Sequence, residues 1–113
     1  MNIEVNKVKI FVTVPSDYTQ KVRDAVCEAG AGGIGNYSFC TTCTKTKGTF
    51  IPNENSNPFI GAKNKLEVVL EDKLEFVCDI DKVKCVISKL RQTHPYEEPA
   101  IDIVPILDEK MFQ

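Results

Sequence analysis

Apolar and polar residues alternate in the segment KVKIFVTVP, where valine or isoleucine holds each even position from 8 to 14. This period of two predicts a β-strand that ends at Pro15. The spacing then becomes helical, with Ser16 or Asp17 as the expected N-cap. The apolar stripe of this helix is Tyr18, Val22, Ala25, Val26 and Ala29. Gly30 should end the helix, because glycine adopts a left-handed cap most easily.

The middle of the chain has the composition of two further strands. The segment IGNYSFCTTCTKTKGTF is rich in threonine and aromatic residues, which favours a strand running to about Lys47. A loop rich in glycine, proline and asparagine follows. From Leu66 to Cys78 the even positions are apolar except for Asp72. We therefore expect a bent or bulged strand, or two short strands, with the break at this carboxylate.

A second helix and a last strand complete the pattern. Asp81 is the expected N-cap, and Pro95 marks the end of a helix with the apolar stripe Val83, Val86, Ile87 and Leu90. The segment AIDIVPIL predicts a strand that Pro105 places at an edge or a bulge. This order predicts an α+β, ferredoxin-like βαββαβ sandwich, in which two helices cover one face of a four-stranded antiparallel sheet.

The other face of the predicted sheet has no helix to cover it. Apolar side chains fall on this face at Phe11, Val69, Val104 and Ile106. A monomer would leave some of them in water. We therefore expect a homo-oligomer that buries the open face or extends the sheet edges.

Composition narrows the class of protein. The chain has 113 residues, of which 42 % are hydrophobic and 27 % charged, as expected for one globular domain. A net charge of −2 argues against a nucleic-acid partner, which usually requires a basic face. The N-terminus resembles no secretory leader, and no run of about 18 apolar residues predicts a membrane span. We expect a cytoplasmic protein whose five cysteines are mostly free thiols.

Two short motifs match known patterns in the wrong context. The run GAGGIG, residues 30–35, has the spacing of a dinucleotide fingerprint, but it follows a predicted helix and leads into a strand. A helix cap and a tight turn explain it better. Cys40 and Cys43 form one C-x-x-C pair, whereas a structural zinc site needs four ligands. Residues three apart on a strand also point to opposite faces, so redox or zinc chemistry is the minor alternative.

The segment HPYEE contains the only histidine of the chain. His94, Glu97 and Glu98 are the candidate ligands for a divalent metal, or an acid and base pair. A structural role is favoured over metal binding or acid–base chemistry. The helix dipole favours a histidine at a helix C-terminus, and Pro95 is a natural stop signal. Tyr96 would then pack, with the glutamates facing solvent or a neighbouring subunit.

The loop KGTFIPNENSNPFIGAK is long for a hairpin, and such loops are usually functional or mobile. Lysines flank it at positions 45, 47, 63 and 65, which suggests an anionic small molecule. Its apolar residues Phe50, Ile51, Phe59 and Ile60 favour docking onto another subunit equally well. The sequence leaves both alternatives open.

Three motifs in order carry a family resemblance: GAGxIGNY, GTFxPxxxxNPFIG and HPYEEPA. Over about Val8 to Leu107, the chain closely resembles the domain inserted in many bacterial Nif-three-like proteins, the YqfO-like GTP cyclohydrolase I type-two homologues. The resemblance implies a CutA/PII-like fold and a trimer. It also implies a standalone copy of the insert, without the metal-binding main domain, because the chain has one histidine. No cyclohydrolase activity or catalytic residue is therefore carried over.

We accordingly expect a single CutA/PII-like domain over 1–113, acting as a non-catalytic, homo-oligomeric binding or regulatory module. The oligomer is a trimer or a dimer, and the ligand is unknown. One alternative is a divalent-metal-binding protein or metal-dependent hydrolase that uses HPYEE, and another is a docking subunit for a Nif-three-like partner. The loop from Gly48 to Gly61 and HPYEE should lie near each other or face a neighbouring subunit. The candidate ligand or interface residues are Gly35, Asn36, Tyr37, Gly48, Phe50, Pro52, Asn57, Pro58, Phe59, His94, Tyr96, Glu97 and Glu98.

Overall fold

The structure is a computed structural model that describes residues 3–113. Its strands are β1 (Lys7–Pro15), β2 (Thr41–Phe50), β3 (Glu67–Asp79) and β4 (Ile101–Ile106), and its α-helices are α1 (Thr19–Glu28) and α2 (Val83–Thr93). Short 3₁₀ turns lie at Ser16–Tyr18, Ile80–Lys82 and Glu109–Phe112. All strand pairs are antiparallel, in the order β2-β3-β1-β4. This is the predicted ferredoxin-like βαββαβ sandwich, and β4, which contains Pro105, is an edge strand.

The hydrophobic core lies between the two helices and one face of the sheet. Even-numbered residues of β1 and of the second half of β3 form the sheet side, and the predicted helical stripes form the other. The side chains with less than 2 % exposure are Ile10, Val12, Val14, Val22, Val26, Leu74, Phe76, Val86 and Leu90. Burying one such side chain contributes about 1.5–3 kcal/mol, so this layer supplies most of the stability of the fold.

The predicted break at Asp72 is wrong, because β3 continues through this residue. Asp72 pairs with Val14 of β1 and with Lys45 of β2 in an unbroken register. Its buried carboxylate accepts hydrogen bonds from the Thr19 hydroxyl at 2.7 Å and the Ser16 hydroxyl at 3.3 Å. Hydroxyls at the start of the first helix therefore replace the water that a buried carboxylate would lose.

The boundaries of other elements also differ from the prediction. β2 begins only at Thr41 and continues to Phe50, so the beginning of the predicted loop is strand. The N-caps of the α-helices are Tyr18 and Lys82, and neither makes a side-chain cap hydrogen bond. The predicted caps Ser16, Asp17 and Asp81 fall instead in the 3₁₀ turns that precede each helix. Because a 3₁₀ turn precedes each α-helix, the observed N-caps lie one or two residues after the predicted ones.

Apolar residues are exposed at several places outside the core, among them the open sheet face and the start of β3. On the open sheet face, the Lys73 ammonium lies 4.9 Å from the centre of the Phe11 ring and shields part of this face. Leu66, Val68 and Leu70 are more exposed, at 62 %, 53 % and 70 %, near the start of β3 and beyond the cover of the helices. No helix within residues 3–113 is long and apolar enough to cross a membrane.

Candidate functional site

A pocket of about 280 Å³ opens between the β2–β3 loop, residues 51–66, and the segment that follows the second helix. We call it the aromatic pocket. Its wall contains three aromatic residues, Phe50, Phe59 and Tyr96, and three acidic residues, Glu71, Glu97 and Glu98. The remaining lining residues are Thr13, Thr49, Pro52, Ser56, Pro58, Ile60 and Ala100.

The three aromatic rings come from three different parts of the chain. Phe50 ends β2, Phe59 lies in the loop, and Tyr96 follows the second helix. The ring centre of Tyr96 lies 6.2 Å from that of Phe50 and 6.4 Å from that of Phe59. Phe59 also contacts Tyr18 edge to face at 5.6 Å, which fixes the loop against the start of the first helix. Packing between the rings thus holds the pocket wall in place.

The loop and the HPYEE segment contact each other within one chain, as predicted. The Asn57 backbone N–H donates to the Glu97 carboxylate at 2.7 Å. The loop is also tied to itself, since the Asn64 N–H donates to the Pro52 carbonyl at 2.6 Å and the Ser56 hydroxyl to the Asn53 carbonyl at 2.6 Å. These bonds give the loop a defined shape without a regular ladder.

His94 is a structural residue behind the pocket. Its Nε2–H donates to the Thr13 carbonyl at 2.8 Å, and its Nδ1 accepts from the Tyr96 backbone N–H at 3.1 Å. This pattern requires the neutral ring, and burial lowers the pKa of His94 below its ordinary value. A neutral ring gains little from the helix dipole, so the dipole is not what favours His94 at this helix end. The side chain instead positions Tyr96 against β1.

The predicted metal ligands do not form a metal site within this chain. Both ring nitrogens of His94 have partners, and Glu97 accepts from Asn57. Glu98 is exposed, and its Oε1 lies 3.5 Å from Nη1 of Arg91. Within residues 3–113, no group of three or more histidine, cysteine or acidic side chains is arranged to hold a metal ion. A free histidine nitrogen is needed for a metal bond, so His94 is excluded as a ligand in this conformation.

Glu71 is the acidic residue that lies deepest in the pocket, with 7 % exposure. Its Oε2 accepts a hydrogen bond from the Tyr96 hydroxyl at 2.8 Å. Its Oε1 lies over Gly48, where a Cβ atom would overlap it. Burial, followed by the hydrogen bond and the charge of Glu71, raises the pKa of Tyr96. Tyr96 is therefore a neutral hydrogen-bond donor at physiological pH.

Sequence reasoning missed Glu71 and Thr13 as pocket residues. Thr13 lies in the regular pattern of β1 and gives no signal of its own. Glu71 and Asp72 are adjacent acids inside an apolar stretch, but the alternation pattern singles out only Asp72, as the position of the predicted break. The structure shows that both carboxylates are buried, one on each face of the strand. An adjacent pair of acids at the centre of a strand was therefore the signal that could have identified Glu71.

Other candidate residues lie away from the aromatic pocket. Gly35 and Asn36 form a tight turn in which the backbones of Ile34 and Tyr37 exchange two hydrogen bonds of 2.9 Å. None of the four lines the pocket, and Tyr37 is 77 % exposed. The GAGGIG run thus forms a helix end and a turn, with positive φ at Gly30, Gly32 and Gly35.

The flanking lysines and the C-x-x-C pair do not contribute to the pocket either. None of the four lysines lines the pocket. The Nζ of Lys45 instead lies 3.7 Å from Oδ1 of Asp72. The three carboxylates of the lining make this pocket unsuited to the anionic ligand that the lysines suggested. Cys40 precedes β2 and Cys43 is exposed within it, and both are free thiols.

No family model matches the chain. Over 101 residues, however, it is 46 % identical to a GTP cyclohydrolase 1 type 2 homolog of Halalkalibacterium halodurans, covering 89 % of this chain and 27 % of that protein. The crystal structure of a Bacillus cereus protein related to NIF3 matches 93 % of this chain and 27 % of that one, with 36 % identity and a TM-score of 0.79. The chain is homologous to one segment of these NIF3-related proteins. It spans about a quarter of their length.

A more distant likeness concerns the fold alone. CutA from Synechococcus elongatus matches 94 % of this chain and 81 % of its own, with a TM-score of 0.68 and 15 % identity. The predicted CutA/PII-like form of the ferredoxin-like fold is confirmed. The resemblance to the NIF3-related segment, which was based on the three motifs, is confirmed as well.

Proposed function

We propose that this NIF3-related segment is a non-catalytic, homo-oligomeric binding module, and that the aromatic pocket is its ligand site. The observation that carries the proposal is that two distant motif segments meet to form one lined pocket. Asn57 and Glu97 join the segments, and Phe59 and Tyr96 contribute rings from both sides. Pockets lined by apolar rings with a few convergent polar groups are the usual form of small-molecule sites.

The state of the titratable groups around the pocket supports binding rather than catalysis. A general base must reach its substrate with a free lone pair. His94 uses both ring nitrogens in hydrogen bonds to the backbone, and Tyr96 donates its hydroxyl to Glu71. Both ring nitrogens of His94 and the hydroxyl proton of Tyr96 are thus engaged in holding the pocket in shape.

The exposed apolar residues of β3 support the proposed oligomer. Leu66, Val68 and Leu70 have the same parity, so they form one stripe on the helix side of the sheet. The stripe is continuous with the β2–β3 loop that builds the pocket wall. A neighbouring subunit that covered it would remove this apolar surface from water, and would also fix the loop.

A fragment screen by protein NMR tests the proposed site, and native mass spectrometry reports the number of subunits. We expect small apolar fragments to shift the amide signals of Ser56, Tyr96 and Glu97. Phe59→Ala should abolish these shifts. Tyr37→Ala, which removes an exposed ring outside the pocket, should leave them unchanged. Fragments that bind elsewhere, or equally well to Phe59→Ala, would contradict the proposal.

A further inference from the structure

We infer that the aromatic pocket selects a small organic cation, whose ammonium group pairs with the Glu71 carboxylate beside the aromatic rings. The inference rests on the proposed function, since it names the chemical class of ligand for the same pocket. Three features carry it: the sign of the charge in the lining, the incomplete pairing of one buried carboxylate, and the arrangement of the rings.

The charged groups that line the pocket are all acidic. Glu71, Glu97 and Glu98 belong to the lining, and no lysine or arginine does so among the residues that the structure describes. Glu98 lies against Arg91 outside the pocket, but both side chains are largely exposed. Such a surface pair is screened by water, and it compensates little of the negative charge inside. The pocket therefore attracts cations and repels anions.

Glu71 lacks a cationic partner within residues 3–113. None of the ion pairs in this part of the chain includes it, although 93 % of the residue is buried. Its side chain accepts one hydrogen bond, from Tyr96, whereas a carboxylate has about four acceptor positions. A buried carboxylate without a counterion is costly to maintain, and a cationic ligand would compensate it.

Three aromatic rings line the same pocket. Phe50 and Phe59 are tilted by 55° and 50° to Tyr96, with centre distances above 6 Å. Tyr96 therefore packs against both phenylalanine rings, and all three residues belong to the pocket lining beside Glu71. Aromatic faces carry the negative part of the ring quadrupole, and rings in this arrangement recognise substituted ammonium groups. A volume of about 280 Å³ restricts the ligand to a small one.

The test compares two probes of equal shape, choline and its uncharged analogue 3,3-dimethylbutan-1-ol, by NMR titration of the full chain. We expect choline to bind about tenfold or more tightly than the neutral probe. Glu71→Gln should reduce this ratio severalfold, because the amide removes the charge and still accepts from Tyr96, while the rings and the other two carboxylates remain. Glu75→Gln is the matched control, since Glu75 lies on the same strand and sheet face but pairs with Lys9 outside the pocket.

Each outcome separates this inference from the proposed function. Equal binding of both probes to the wild type, or an unchanged ratio in Glu71→Gln, overturns the cation preference and leaves the pocket as a binding site. Binding of neither probe also overturns it, and the fragment screen then decides on the pocket itself. Phe59→Ala provides a second variant that does not alter the core, because Phe59 is half exposed. It should weaken choline binding by about tenfold, and unchanged affinity would contradict the role of the rings.

Discussion

Gly48 on β2 and Glu71 on β3 lie on the same face of the sheet, and the Glu71 carboxylate occupies the space that a side chain at position 48 would need. Gly48 has an ordinary backbone conformation, since its φ is not among the positive values. The glycine is thus required by space rather than by backbone geometry. It lets a buried carboxylate lie flat against the sheet and reach the Tyr96 hydroxyl.

Gly48→Ala should therefore displace the Glu71 carboxylate and break its hydrogen bond with Tyr96. The expected cost is about 1.5–3 kcal/mol of stability, the value for a hydrogen bond to a charged group. The pKa of Tyr96 should also fall towards its ordinary value, because the hydrogen bond and the charge of Glu71 both raise it. NMR titration of the tyrosine ring signals measures this pKa, and denaturant unfolding measures stability.

Gly33→Ala provides the control for this prediction. A Cβ atom at Gly33 would meet no atom within 4 Å, and its φ is not in the positive range. The control should leave the pKa of Tyr96 unchanged. An unchanged Tyr96 pKa in Gly48→Ala as well would show that the carboxylate has room to move without losing its partner.

Thr19→Ala should destabilise the protein by about 1.5–3 kcal/mol, the value for a hydrogen bond to a charged group. The Thr19 hydroxyl donates to the buried Asp72 carboxylate at 2.7 Å, and this bond is the first cause of the lowered pKa of Asp72. The variant should raise that pKa. Thr19→Ser keeps the hydroxyl and should recover most of the stability in urea unfolding. Equal losses in both variants would assign the effect to the threonine methyl group instead.

The alternation of β1 and the helical stripes predicted the core well, because burial on one face dictates these positions directly. The course of the chain at Asp72 could not be predicted in the same way. A charged residue in an apolar strand indicates either a break or a buried partner, and the partners Ser16 and Thr19 lie more than 50 residues away. Long-range hydrogen bonds leave no local pattern in the sequence.

In the candidate site, too, the sequence predicted the features that have a local pattern and missed those that depend on contacts distant in sequence. The motif segments of the loop and of HPYEE were expected to meet, and they do. The sequence favoured a structural role for His94 at a helix end, although its type and position also fit a metal ligand. The contact with the Thr13 carbonyl decides between them, and it depends on how β1 lies beside the second helix. Glu71 could be recognised only once Gly48 and Tyr96 were placed beside it.

Lowering the pH should destabilise the protein through His94. Its folded-state pKa lies below the ordinary value of about 6.5 that holds in the unfolded chain. As the pH falls below about 6.5, the unfolded chain takes up a proton that the folded protein refuses, so the free energy of unfolding decreases. Protonation at Nδ1 would also remove the acceptor of the Tyr96 N–H. Above this pH, the ring is neutral in both states and the contribution is constant.

Urea unfolding between pH 5 and pH 7 measures this effect. His94→Gln should be less stable at pH 7, since glutamine cannot reproduce both hydrogen bonds, but its stability should change less over this range. Asp72 does not affect this comparison, because its pKa lies below its ordinary value of 3.8. Its contribution to the free energy of unfolding is therefore lost only at more acidic pH. An equal pH dependence in both proteins would exclude His94 as its source.

Leu70→Asp should dissociate the proposed oligomer. Leu70 is 70 % exposed and is the most exposed residue of the apolar stripe, so the substitution places a charge there without disturbing the core of one chain. A charge buried without a partner at an interface costs several kcal/mol, which is enough to favour the monomer at micromolar concentrations. Sedimentation velocity and native mass spectrometry measure the change. Leu107→Asp is the matched control, because Leu107 is similarly exposed, at 52 %, but follows β4 outside the stripe. Dissociation of the control, or an intact Leu70→Asp oligomer, would place the interface elsewhere, with the open sheet face around Val104 as the next surface to alter.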